Sequence, residues 1–256
     1  RIIGLGDQNI KLLQATVVAS DLNTLDGNTE GTINADSVTT ITGLASDINI
    51  AYASNGISKT NLGNETVILS DLTVVASDLN ALDTNNTAGT INADSVTTIT
   101  GSAIDINNAY GSSGITGLGD ENITLETPTV DALDLNNLDN NTAGIINADN
   151  VTTITGVDGE INIAYASNGI TGLGDENITL IGPDANDNEL FLLVGNTTGT
   201  IDAAQVATIF GFADRINVAY SSNRITGLGD ENIKLMQATV VASDLNTLDN
   251  NTGGTI

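Results

Sequence analysis

A fixed internal period governs this chain. All four tyrosines, Tyr52, Tyr110, Tyr165 and Tyr220, occupy one position of a repeat, at successive spacings of 58, 55 and 55. The glycine that opens the Gly-Thr-Ile segment (Gly31, Gly89, Gly144, Gly199, Gly254) recurs at 58, 55, 55 and 55. Self-similarity of this kind specifies stacked supersecondary units, each too small to bury a core alone.

Each unit divides into two similar coils. The first opens with Asp-Leu-Asn (Asp21, Asp78, Asp134, Asp244) and the second with a related triplet at Asp47, Asp105, Glu160 and Arg215. The step from Asp134 to Glu160 is 26 and that from Glu160 to Glu189 is 29, which falls in the length range of leucine-rich-type coils. Ser46 or Asp47 is the expected N-cap, and Ile48, Ala51 and Tyr52 follow at the i, i+3, i+4 spacing of a two-turn helix. Leu22 and Leu25 repeat that spacing in the first coil. Such short helices are unstable alone and must rest on a neighbour. Runs such as Val38-Thr39-Thr40-Ile41-Thr42 and Asn122-Ile123-Thr124-Leu125 are strand formers bounded by Gly or polar residues.

The expected fold is an α/β solenoid with leucine-rich-repeat-like coils, 26–29 long, each a short helix with short parallel strands. The alternative is a right-handed parallel β-helix in which the Asp-Leu-Asn segments are turns. In either case Leu22, Leu25, Ile33, Val38, Ile41, Ile48, Tyr52 and Ile57 head core columns. The organisation expected is one continuous solenoid over residues 1–256. Its units are 16–72, 73–128, 129–183 and 184–238, with partial units at 1–15 and 239–256.

A longer period lies above this one. Residues 1–33 match 224–256 at 28 of 33 positions, at an offset of 223, so four units make a super-repeat. The expectation is a window cut from a much longer periodic molecule.

Composition narrows the chemistry. The chain has no Cys, His or Trp, which removes thiol nucleophiles, Cys/His zinc sites and histidine-based triads. With 32 acidic against 6 basic residues the net charge is −26, which opposes nucleic-acid binding and favours cations. No apolar run is long enough to span a membrane. The Gly-Leu-Gly-Asp-Glu-Asn-Ile turns place Asp120 with Glu121, Asp175 with Glu176 and Asp230 with Glu231, with Gln8 replacing Glu in an earlier copy. Carboxylates in Gly-rich turns are candidate calcium ligands, against the plainer reading of solvated acidic turns. No other cofactor is expected, and no catalytic residues: carboxylate pairs repeated in nearly every unit without an aromatic sugar platform do not read as an enzyme. The register of Asn23, Asn49, Asn80, Asn107, Asn136, Asn162 and Asn217 reads as a structural asparagine ladder in the turns. The fourth unit departs with Glu189-Leu190-Phe191-Leu192-Leu193-Val194, and with Phe210 and Phe212 it holds all three phenylalanines.

The tandem Asp-Leu-Asn, Val-Thr-Thr-Ile-Thr-Gly, Asp-Ile-Asn-x-Ala-Tyr and Gly-Ile-Thr-Gly-Leu-Gly segments resemble the repeats of giant secreted cell-surface and filament proteins of marine bacteria, especially cyanobacteria. The resemblance covers essentially the whole chain and is one of repeat style. It implies an extracellular, cell-surface location reached by a signal-less export route. It also implies a part in surface layers, adhesion, filaments or motility. The expected function is a non-enzymatic structural protein that self-associates into filaments or fibres. The alternative is an adhesin module that binds a polysaccharide or receptor. Ice binding by threonine rows stands behind both.

Overall fold

The computed structural model describes residues 5–58 and 62–256. Residues 1–4, which open the end-matched segment, lie outside them. The chain falls into two compact units, Arg1–Thr124 with Asn141–Gly144 and Leu125–Asn140 with Ile145–Ile256.

Both units are parallel α/β stacks, as the repeat predicts. The first carries helices α1 (Ala19–Asp26), α2 (Ala45–Ala53), α3 (Ala76–Asn85) and α4 (Ala103–Gly111). The second carries α5 (Ala132–Asn141), α6 (Asp158–Ala166), α7 (Asp187–Asn196), α8 (Ala213–Ser221) and α9 (Ala242–Asn251). The Asp-Leu-Asn segments are thus helical, which sets the β-helix alternative aside.

In the first unit a five-stranded ladder joins Thr16–Val18, Thr40–Gly43, Thr66–Leu69, Ile91–Asn92 and Ile115–Thr116. Its central column, Val17, Ile41, Val67, Ile91 and Ile115, pairs in register and is buried throughout. The second unit repeats the arrangement with Val130, Ile154, Ile178, Ile201 and Ile225. β-Branched side chains suit such stacking because they are stiff and fit a pleated surface.

The strand Asn177–Leu180 leads into a further strand, Asp184–Asn186, rather than into a helix; Thr66–Leu69 does the same before Thr73–Val75. The repeats 73–128, 129–183 and 184–238 each carry five short strands against two helices. Neighbouring helices need roughly 8–10 Å each, whereas strands stack at about 4.8 Å. The longer of the two alternating steps holds three strands and the shorter one two.

The residues expected to head core columns are buried, except that Leu25 is only half-buried. The strand columns nevertheless join different repeat positions: Ile41 pairs with Val17 and Val67, and Ile91 with Val67 and Ile115, rather than each with its own equivalent. The expected Ser/Asp N-caps are displaced. Helix α2 starts earlier, with Leu44 as N-cap and no side-chain bond of its own. The Ala45 N–H is instead accepted by Asp71 Oδ2, from the following coil, at 2.9 Å. The strand runs almost directly into the helix, so Ser46 and Asp47 sit in its first turn, where an acidic residue still complements the helix dipole. Helices α4 and α7 do have local caps, from Ser102 to the Asp105 N–H and from Asn186 to the Asn188 N–H.

Candidate functional site

The Gly-Leu-Gly-Asp-Glu turns split their two carboxylates. Glu121, Glu176 and Glu231 are buried, as is Glu65 in the divergent first copy, whereas Asp120, Asp175 and Asp230 are exposed. Each glutamate accepts a hydrogen bond from the tyrosine of the preceding helix. The distances are 3.2 Å for Tyr52 to Glu65, 2.8 Å for Tyr110 to Glu121 and for Tyr165 to Glu176, and 2.7 Å for Tyr220 to Glu231. The same carboxylates accept the N–H of Gly63, Gly119, Gly174 and Gly229 within the turn. Burial, followed by contact with the glutamate, pushes the Tyr52 and Tyr165 hydroxyls well above the ordinary tyrosine range. Tyr110 and Tyr220 are raised the same way, mainly by burial.

The next coil closes over this pair. Thr142, Thr197 and Thr252 donate Oγ1 to the backbone carbonyls of Glu121, Glu176 and Glu231 at 2.5–2.6 Å, and Asn86 Nδ2 serves Glu65 at 3.0 Å. The Gly-Thr-Ile signature has its cause here. A Cβ on Gly144 would lie 2.2 Å from the Glu121 carbonyl oxygen, and one on Gly199 or Gly254 would meet Glu176 or Glu231 at 2.3 and 2.2 Å. Gln8 is exposed, so the copy lacking glutamate has no such plug.

The turns therefore work as interlocks between coils. Among the described residues no group of three or more acidic side chains is placed to hold a metal ion. Calcium takes six to eight oxygens, and the Oε2 of the glutamate in each candidate pair is already engaged inside the protein.

The asparagine register is also an interlock, but on the helices rather than in the turns. Asn23 Nδ2 donates to the Asp47 carbonyl at 2.8 Å, Asn49 to Asp78 at 3.0 Å and Asn80 to Asp105 at 2.9 Å. In the second unit Asn136 reaches Glu160, Asn162 reaches Glu189 and Asn217 reaches Asp244. Each rung ties one helix to the next. Sequence spacing found the register, but only the packed helices show which backbone it serves.

Threonines do line up on the outward strand face, as Thr16, Thr40 and Thr66 or Thr129 and Thr153. The rows are short: Asn177 follows Thr153, and the neighbouring row carries Asp131 and Asp202.

The fourth repeat breaks the pattern in four coordinated places, each compared with its counterpart one repeat earlier. Phe191 stands where Asn136 forms a rung, and Arg215 where Glu160 accepts it. Val194 replaces Asp139, and Arg224 replaces Gly169. At Gly169 a Cβ would lie 2.2 Å from Asp139 Oδ1, so a side chain there requires that carboxylate to move aside or be absent. The Arg224 guanidinium instead donates to the Val194 and Thr197 carbonyls at the end of α7. Arg215 stacks over the Phe212 ring at 5.8 Å and donates to Asn188 at 3.0 Å. Phe191 and Phe212 are 58% and 44% exposed, which leaves an aromatic and cationic patch on an otherwise acidic chain.

Among the described residues no helix is long and apolar enough to cross a membrane. No protein-family model, curated protein or solved structure matches the chain.

Proposed function

We infer that the protein is a non-enzymatic structural repeat protein, a building element of an extracellular surface filament, fibre or adhesin that self-associates. One observation carries this reading. The recurrent polar groups, including the glutamates of the candidate calcium turns, are used in unit after unit to lock one coil onto the next. The buried Glu–Tyr pair, the threonine clamp and the asparagine rung recur with nearly constant partners. Catalysis needs one distinctive constellation, whereas a load-sharing rod needs the same joint many times. The net charge of −26 keeps such rods dispersed, or lets divalent cations bridge their faces.

Electron microscopy of native material with and without a calcium chelator tests it. Long rods with an axial repeat of four units support the structural reading, and discrete short particles overturn it. The second reading, an adhesin module for a polysaccharide or receptor, draws on the Phe191, Phe212 and Arg215 patch. A glycan array reads it directly, with the Phe191→Ser variant as control.

A further inference from the structure

The interruption in the fourth repeat forms a socket. Between α7 and α8 lies a cleft of about 60 Å³, lined by Leu190, Phe191, Val194, Arg215, Val218 and Ala219. Its largely apolar lining suits an aliphatic side chain. Among the described residues no carboxylate pairs with Arg215, whose polar partner is the neutral Asn188.

The matching knob is on the chain's own surface. Ile50 on α2 and Ile163 on α6 occupy the repeat position of Val218 and are 58% and 61% exposed. Each stands one helical turn after an acidic residue, Asp47 or Glu160, so apolar knob and carboxylate share a helix face. Those acids occupy the repeat position of Arg215. On α4 the equivalent residue is Asn108, which presents no knob.

We propose that a second copy of this chain docks its α2 or α6 face on the α7–α8 cleft, with Ile50 or Ile163 filling the socket and Asp47 or Glu160 pairing with Arg215. The contact joins two different surfaces, so it does not close on itself and adds copies side by side. It deepens the self-associating reading above by naming its lateral surface. Charge complementarity selects the partner: Arg215 is one of six basic residues on a chain of net charge −26, and the knob faces bring acid to it. Burial of Phe191 beside an arginine supplies the kind of centre at which interface energy concentrates.

Sedimentation of the full chain over a range of concentrations and salt tests this. The wild type is expected to associate, more weakly as salt rises, and Arg215→Glu to weaken association at least ten-fold with an unchanged circular dichroism spectrum. In a pulldown, wild type should still capture Arg215→Glu, whose intact knob face fits the wild-type socket, whereas Arg215→Glu should not capture itself. The triple variant Arg215→Glu, Asp47→Arg, Glu160→Arg, which swaps the charges across the contact, should regain self-association. A wild type that stays monomeric throughout, or association that Arg215→Glu leaves intact, overturns the proposal. Single rods that persist by electron microscopy while lateral association is absent sink this contact alone. Loss of the rods themselves sinks the structural reading.

Discussion

Replacement of Glu121 by alanine should destabilise the protein far more than replacement of its exposed neighbour Asp120. The carboxylate is fully buried and accepts from the Tyr110 hydroxyl and the Gly119 N–H, both at 2.8 Å. A hydrogen bond to a charged group contributes about 1.5–3 kcal/mol, and its loss leaves the donors to find water or remain unpaired. Tyr110 is only half-buried, so part of its loss is recovered from solvent. The net expectation for Glu121→Ala is about 2–4 kcal/mol. At about 2–4 °C per kcal/mol for a chain of this size, Tm falls by about 4–16 °C. Glu121→Gln keeps an acceptor for both donors and removes a buried charge, so it should cost less than about 1 kcal/mol. Asp120→Ala should stay within about 0.5 kcal/mol of wild type. Urea denaturation followed by far-ultraviolet circular dichroism, with the slope against denaturant held constant, measures all three. Equal losses at Asp120 and Glu121, both abolished by chelator, would refute the interlock and restore the calcium reading.

Other consequences of the interlocks are open to measurement. Gly144→Ala drives a Cβ into the Glu121 carbonyl and should cost at least about 2 kcal/mol in the same assay, whereas Gly159→Ala, with open space around it, should be near neutral. Asn136→Ala removes the rung to Glu160 and should cost about 1 kcal/mol, read as faster hydrogen exchange in α5 and α6. Tyrosines raised above the unfolded value of about 10 favour the protonated, folded state; that stability is whole below about pH 10 and lost as pH rises beyond it. Unfolding should therefore set in at alkaline pH together with the rise in tyrosinate absorbance, and a transition independent of tyrosine ionisation would count against the buried pairs.

The architecture was largely legible because repetition makes a weak local signal a strong one. A single Ser-Asp-Leu-Asn stretch says little, but its return at alternating steps of 26 and 29 implied stacked coils, and the helix starts from α5 to α9 follow that alternation. The site was less legible. Asp120 and Glu121 are neighbours of the same chemical class, and nothing in their order says that one faces water and the other the tyrosine of the preceding helix. The N-caps failed for a related reason: the acceptor for Ala45 comes from Asp71, in the following coil, and local rules read only local partners. The Phe191, Val194, Arg215 and Arg224 replacements were visible singly, but their coordination needed the packing of α7 against α8.

What the sequence determined by itself was the period, the apolar core positions and the chemical exclusions, because these depend on residue type and spacing. Which core positions stack on one another was decided by the tertiary structure, as where Ile91 lies between Val67 and Ile115. The tertiary structure decided the destination of each polar group. The hydrogen-bond partners of Asn136 and Arg215, and the threonine on the Glu121 carbonyl, lie one coil away, and that distance closes only when parallel strands stack at about 4.8 Å beneath wider helices.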